Sequence, residues 1–224
     1  MRLTRSLFIA SLGLLVAGTV VAQVPAPTSA SHWTLEFFTG NGWNAPAPLT
    51  IEQYGQPDIH FIARWSTRPF YNAKYYALRV TRWKGDKGWA VDYTHHKLYL
   101  RNTTPEVQHF EISHGYNLLH LSKVWRTHEW ILSAGGGLVF THPENTVRGL
   151  VLDPESGGTL GGGYYLDGVS AMGAVGRQVK IHGPLFASGL AKVTLSNATV
   201  RVRDGEAEVP NAALHVNLGL GMRL

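Results

Sequence analysis

The chain has no cysteine. Disulfides, thiolate nucleophiles and cysteine-ligated metal centres are therefore excluded, and stability must come from backbone pairing and packing. Charge of one sign is also scarce. The formal net charge is +5, and Arg2 and Arg5 belong to a leader, which leaves about +3, too little to argue for nucleic acid. After the first 22 residues there is no apolar run of membrane-helix length and no helical periodicity. What remains abundant is glycine, at 25 of 224 residues, together with seven Trp, nine Tyr and eight Phe. That combination favours an all-β chain with tight turns and aromatic belts.

The first residues read as a secretory signal: Arg2 and Arg5, an apolar run from Leu7 to Val21, and a Val20-Val21-Ala22 cleavage site. Residues 1–22 are assigned to this signal, 23–57 to a periplasmic linker with one short extra strand, and 58–224 to a β-barrel. The organising stretch is the last. Leu214, Val216, Leu218, Leu220, Met222 and Leu224 alternate with His215, Asn217, Gly219, Gly221 and Arg223. One face of such a strand is continuously apolar and the other small or polar, as lipid on one side and a compact polar lumen on the other require.

Going back along the chain, Trp33 to Gly40 reads as a short strand, followed by a loop by composition. Eight strands follow from Asp58: one carrying Ile59, Phe61, Ala63 and Trp65 on one face; one marked by Tyr76, Leu78 and Val80; then Trp89–Arg101, Val107–Lys123, Trp130–Thr141, Gly163–Val179, Leu185–Arg203 and the last. With a periplasmic C-terminus, the connections at Lys84 to Gly88, Val124 to Glu129 and Lys180 to Pro184 all fall on the periplasmic side and are short, as small barrels require. The expected fold is thus an antiparallel transmembrane up-and-down β-barrel of about eight strands. The Trp33 segment is then a periplasmic extension, a lumen plug, or a sign of ten strands.

The densest chemistry lies on the hairpin of Val91–Leu100 and Gln108–Asn117. A loop centred on Thr103 and Thr104 sets His96 opposite Glu111 and places Ser113 diagonally, the minimum for nucleophilic hydrolysis: a hydroxyl, a base to take its proton, and a carboxylate to fix the base's tautomer. The alternative is a lumen network, with Arg64, Arg79, Asp92 and Asn117 as the paired polar side chains. The spacing of His96, His109 and Glu111 matches no metal motif, so neither metal nor cofactor is expected. His142-Pro-Glu144, in the longest loop, is a candidate contact for lipopolysaccharide.

On these alternating segments the chain resembles small bacterial outer-membrane barrels, the OmpW- and OmpX-type proteins and the lipid A deacylase group. The resemblance implies outer-membrane localisation, lipid and lipopolysaccharide as neighbours, and recognition of the C-terminal strand by the barrel assembly machinery. The deacylases carry His-x-Ser-Asn with a later Glu. The nearest match is His120-Leu121-Ser122, with Lys123 where that family has Asn and Glu129 in a predicted turn, so this site is not carried over. An eight-stranded barrel is filled by its own side chains, which argues against a diffusion pore. The expected role is structural, envelope-integrity or small-ligand binding. A lipid A hydrolase or acyltransferase using Ser113, His96 and Glu111 is the alternative, and passage of small apolar molecules near the glycine-rich fifth and sixth strands is a third reading.

Overall fold

The structure, a computed structural model, describes residues 31–71, 73–152 and 158–224. The expected signal and the first residues of the expected linker, 23–30, lie outside the described residues. Every regular element among them is a strand: β1 (Ser31–Asn44), β2 (Ala47–Gln53), β3 (Ile59–Ala63), β4 (Trp65–Ser66), β5 (Tyr76–Lys84), β6 (Lys87–Leu100), β7 (Val107–Thr127), β8 (Trp130–Thr141), β9 (Glu144–Val147), β10 (Leu150–Val151), β11 (Tyr165–His182), β12 (Leu185–Val202) and β13 (Gly205–Arg223).

Eight of these close into an antiparallel ring in the order β1, β5, β6, β7, β8, β11, β12, β13, and the last strand pairs with the first from Thr34↔Arg223 to Asn44↔Ala213. Stepping from partner to partner around the ring leads from Leu214 through Val193, Gly173, Ala134, Lys123, Trp89 and Arg82 to Trp33, whose amide bonds Leu224. The circuit thus returns to β13 ten residues further along. That stagger in an eight-stranded ring corresponds to strands tilted by about 40°.

The count of eight is right, but its first member is different. Asp58–Trp65 is not a wall strand. β3 pairs only with β2, and β4 pairs with the end of β6. The wall begins instead with β1, inside the 23–57 stretch set apart from the barrel, whose Trp33 segment is expected as a periplasmic extension, a lumen plug or a sign of ten strands. The glycines misled because they read as loop. Any side chain at Gly40 would collide with the Val216 carbonyl and Asn217 of β13, and a Cβ at Gly42 would lie 2.9 Å from His96 and 3.2 Å from His215. Both mark close approach within a strand rather than a turn.

The three short connections share one rim, as expected, joining β5 to β6, β7 to β8, and β11 to β12. On the opposite rim the strands run on beyond the ring's apolar band, and their polarity inverts there. Along β12 the outward residues are Leu185, Ala187, Gly189, Ala191, Val193 and Leu195, and then Asn197, Thr199 and Arg201; the inward ones pass from a mixed set, Phe186, Ser188, Leu190, Lys192, Thr194 and Ser196, to the wholly apolar Ala198, Val200 and Val202. β13 does the same, with Leu214 to Met222 outward below and Glu206 and Glu208 outward above, over buried Ala207 and Val209. The lower part is apolar outside and polar inside, suited to lipid. The upper part is polar outside and apolar inside, suited to water.

Above the ring, β2, β3, β4, β9 and β10 join the strand extensions around one dry core that includes Leu49, Ile51, Ile59, Trp65, Leu98, Leu100, Phe110, Ile112, Leu118, Val139, Val147, Val200 and Val209. Arg148 ties these pieces together, donating to Gln53 Oε1 (3.1 Å), Pro57 O (2.6 Å) and Glu106 Oε1 (3.4 Å).

Candidate functional site

The lumen of the apolar band holds a hydrogen-bonded polar network beside two small apolar clusters, Trp83, Ala90, Val124 and Ile131 in one and Phe38, Ala77 and Leu190 in the other. Arg79 and Asp92 are register partners on β5 and β6 and form a buried ion pair at 2.6 Å; the other Asp92 oxygen accepts from Ser122 at 2.8 Å, and Arg79 reaches Ser133 at 3.4 Å. Glu36 accepts from Ser188 (2.6 Å) and Gln178 (3.1 Å), and Gln178 in turn accepts from Arg126 (3.0 Å). Lys192 donates to Thr94 at 2.5 Å, and His215 lies between Tyr75 (3.0 Å) and Thr194 (2.9 Å). Charges at this depth persist because they are paired or hydrogen-bonded.

Arg79 and Asp92 therefore stand where the lumen network was expected, whereas Arg64 and Asn117 do not. Arg64 is exposed above the ring, and its backbone amide donates to Asn102. Asn117 is on the outer side of the wall, where its side-chain oxygen accepts from Tyr93 and meets His95, both at 2.8 Å.

The three residues expected as a hydrolytic set are not assembled. A bulge between His96 and Leu98 and a glycine at φ 137° (Gly115) reset the β6–β7 register, so His96 faces Tyr116, and Glu111 faces Tyr99. His96 is fully buried in the lumen with Nε2 on Asn44 Oδ1 at 2.8 Å; Glu111 meets His109 at 3.7 Å. Ser113 lies in a different cluster, on the outer side of the upper wall. There Glu144 Oε1 accepts from Ser113 Oγ (3.1 Å) and contacts His114 Nδ1 (2.5 Å), while the His142 ring packs at a tilt against His114 (5.2 Å) and Tyr164 (4.8 Å). Burial holds the His142 imidazole below its ordinary pKa, with the neighbouring His114 adding to the effect and Glu144 opposing it.

This cluster holds a serine, histidines and a carboxylate, but it is not a relay. In a relay one ring nitrogen faces the hydroxyl and the other faces the acid. Here Ser113 and Glu144 both sit on the Nδ1 side of His114, and the serine proton is directed at the carboxylate. Sequence reasoning had Ser113 and the His142-Pro-Glu144 loop as separate features. The β7–β9 pairing that brings Glu111 opposite Glu144 joins them, and no local signal announces a pairing across 33 residues.

A second feature lies at the outer edge of the band. β5 starts only at Tyr76, opposite His95, whereas β1 continues to Asn44. The wall between β1 and β6 above that point is completed by residues 67–71 and 73–75. Thr67 donates to Gly42 O at 2.6 Å, Tyr75 turns into the lumen, and Lys97 Nζ donates to the carbonyls of Arg68 (2.8 Å) and Tyr71 (2.9 Å). The glycine-rich stretch near which the third reading puts passage of small apolar molecules is, by contrast, fully laddered: Gly135, Gly136 and Gly137 pair with both β7 and β11.

No family model and no curated protein matches the chain. Solved structures do. The solid-state NMR structure of outer membrane protein AlkL in DMPC lipid bilayers aligns at TM-score 0.49 and 12% identity, over 90% of this chain and 95% of that one. The crystal structure of Ail, the attachment invasion locus protein of Yersinia pestis, aligns at 0.37 and 11%, over 87% and 97%. That of Neisserial surface protein A aligns at 0.39 and 9%, over 86% and 96%. The likeness is one of fold alone.

Proposed function

We propose that the chain is an integral outer-membrane barrel that anchors a rigid β-structured head at the cell surface, with a structural or surface-binding role rather than a transport or hydrolytic one. The observation that carries this is the inversion of polarity along β12 and β13. A protein wholly in water has no use for the exposed column Leu214, Val216, Leu218 and Leu220, and one wholly in lipid has none for the outward Glu206 and Glu208 above it. The interior agrees, since side chains fill the lumen and a dry core closes it above. On this reading lipopolysaccharide surrounds the outer rim, and the assembly machinery engages Leu214 to Leu224.

The absence of cysteine makes a direct test available. Single cysteines at Glu208, Leu218 and Asp86 are to be probed in intact cells with a membrane-impermeant maleimide. Labelling is expected at Glu208 in intact cells, at Asp86 only after the envelope is permeabilised, and at Leu218 in neither case. Asp86 reacting in intact cells while Glu208 does not would reverse the orientation, and reaction at Leu218 would remove the membrane reading.

A further inference from the structure

We infer that residues 67–71 with 73–75 form a docking site for an anionic, phosphate-bearing lipid headgroup of the surrounding leaflet, an inference that rests on the outer-membrane reading above. The ring's stagger carries the upper edge of the apolar band from Leu214 to about His95 on β6, and Tyr76, where β5 begins, pairs with His95. The segment that precedes Tyr76 therefore sits at headgroup depth.

Its side chains fit that depth. Phe70 is 78% exposed and Tyr71 63% exposed. Paired aromatics this open to water are unfavourable, but at a membrane interface rings of this kind rest against the acyl boundary. On either side of them in sequence stand Arg68 and Lys74, both exposed, and the stretch Thr67-Arg-Pro-Phe-Tyr-Asn-Ala-Lys-Tyr75 contains no acidic residue. Neither cation forms an ion pair with a carboxylate among the described residues. An arginine fork and a lysine ammonium on one short loop match phosphate oxygens, the first by paired donors and the second as a point charge.

The site is also preformed. The Arg68 guanidinium lies 4.6 Å over the Tyr99 ring, Lys97 fixes two of the loop's carbonyls from behind, and Tyr75 N donates to Pro69 O at 2.8 Å. Arg68 and Ala73, neither of them glycine, are held at φ 47° and 54°. Such backbone is kept only where surrounding contacts enforce it, and here it aims the exposed side chains outward.

The test is native mass spectrometry of the full-length folded barrel titrated with bisphosphorylated lipid A, alongside folding into phosphatidylcholine vesicles followed by the heat-modifiable gel shift. Arg68→Asn with Lys74→Gln keeps a residue tolerant of left-handed backbone at 68. It is expected to weaken lipid A binding roughly thirtyfold, since each interfacial cation contributes about fivefold. Lys74→Gln alone, at an exposed side chain, is expected to weaken it about fivefold and serves if the double variant does not fold. Arg201→Gln with Arg203→Gln removes two cations from the far end of β12 and should leave binding within about twofold, as cations away from the bilayer contribute little. Unchanged binding in both the double variant and Lys74→Gln, or an equal loss in the β12 variant, overturns the site. A chain that never enters vesicles would instead overturn the outer-membrane reading, so the two failures are separate.

Discussion

At the scale of single residues the most consequential pair is Arg79 with Asp92, fully enclosed in the lumen at 2.6 Å. Taking two charges out of water is costly, and mutual attraction plus the hydroxyls of Ser122 and Ser133 offset that cost. Asp92→Asn leaves the guanidinium without its counter-charge and is expected to destabilise the folded barrel by about 3–5 kcal/mol. The double change Arg79→Met with Asp92→Leu removes both charges and should cost less than the single one. Urea unfolding in lipid vesicles measures both, and a double variant weaker than the single would contradict this account. His142 belongs to the same scale. Because its folded-state pKa is depressed, unfolding takes up a proton once the pH falls below the ordinary histidine value of about 6.5. The packing of His142 against His114 and Tyr164 is therefore fully present above that pH and loses stability as the pH falls towards the depressed value. Hydrogen exchange of amides from 142 to 147 should quicken between neutral pH and about pH 5.5, after correction for intrinsic rates, and His142→Phe should flatten that dependence.

At the scale of elements, the sequence was most informative where one strand face meets a uniform environment. The columns of β13 could be assigned residue by residue because lipid and lumen sort side chains with period two, and two of the three tight turns of the lower rim were legible from Gly85-Asp86 and Gly183-Pro184. The upper half was harder for a physical reason. Alternation survives the passage from lipid to water, but its meaning inverts, so Ile59, Phe61, Ala63 and Trp65 look like a lipid-facing column although most of them line a dry core. The hydrolytic set failed on register, since one irregularity, between His96 and Leu98 on β6 and spanning Gly115 on β7, shifts pairings that sequence spacing alone assumes to be regular. Single substitutions separate the two zones of one strand. Leu218→Arg, in the middle of the lipid-facing column, is expected to cost about 2–4 kcal/mol, whereas Glu208→Arg, ten residues nearer the N-terminus and on the same outward side, should change stability by no more than about 0.5 kcal/mol. Equal losses at both positions would mean that the strand has no such boundary.

At the scale of the whole molecule the two zones act as two seals in series. The lower seal is polar: Glu36, Arg79, Asp92, Lys192 and His215 occupy the cross-section of the ring, Arg79 and Asp92 bonded to each other and the rest to neighbouring hydroxyl and amide groups. The upper seal is apolar: Ile51, Leu98, Leu118 and Val200 meet over the mouth of the lumen, where an ion would have to shed its water with no polar group in return. Neither seal depends on the other. The folded protein in a planar bilayer should therefore show no steady ion conductance. Truncating the lower network, by Glu36→Ala, Arg79→Ala and Asp92→Ala together, should still give none, because the dry core remains. Adding Ile51→Ser and Leu98→Ser to that variant places hydroxyls in the upper barrier and lets water enter it, and only then are single-channel steps expected. Conductance from the lower-network variant alone would show that the extension is not a seal, and would move the protein's role from the surface of the membrane to passage across it.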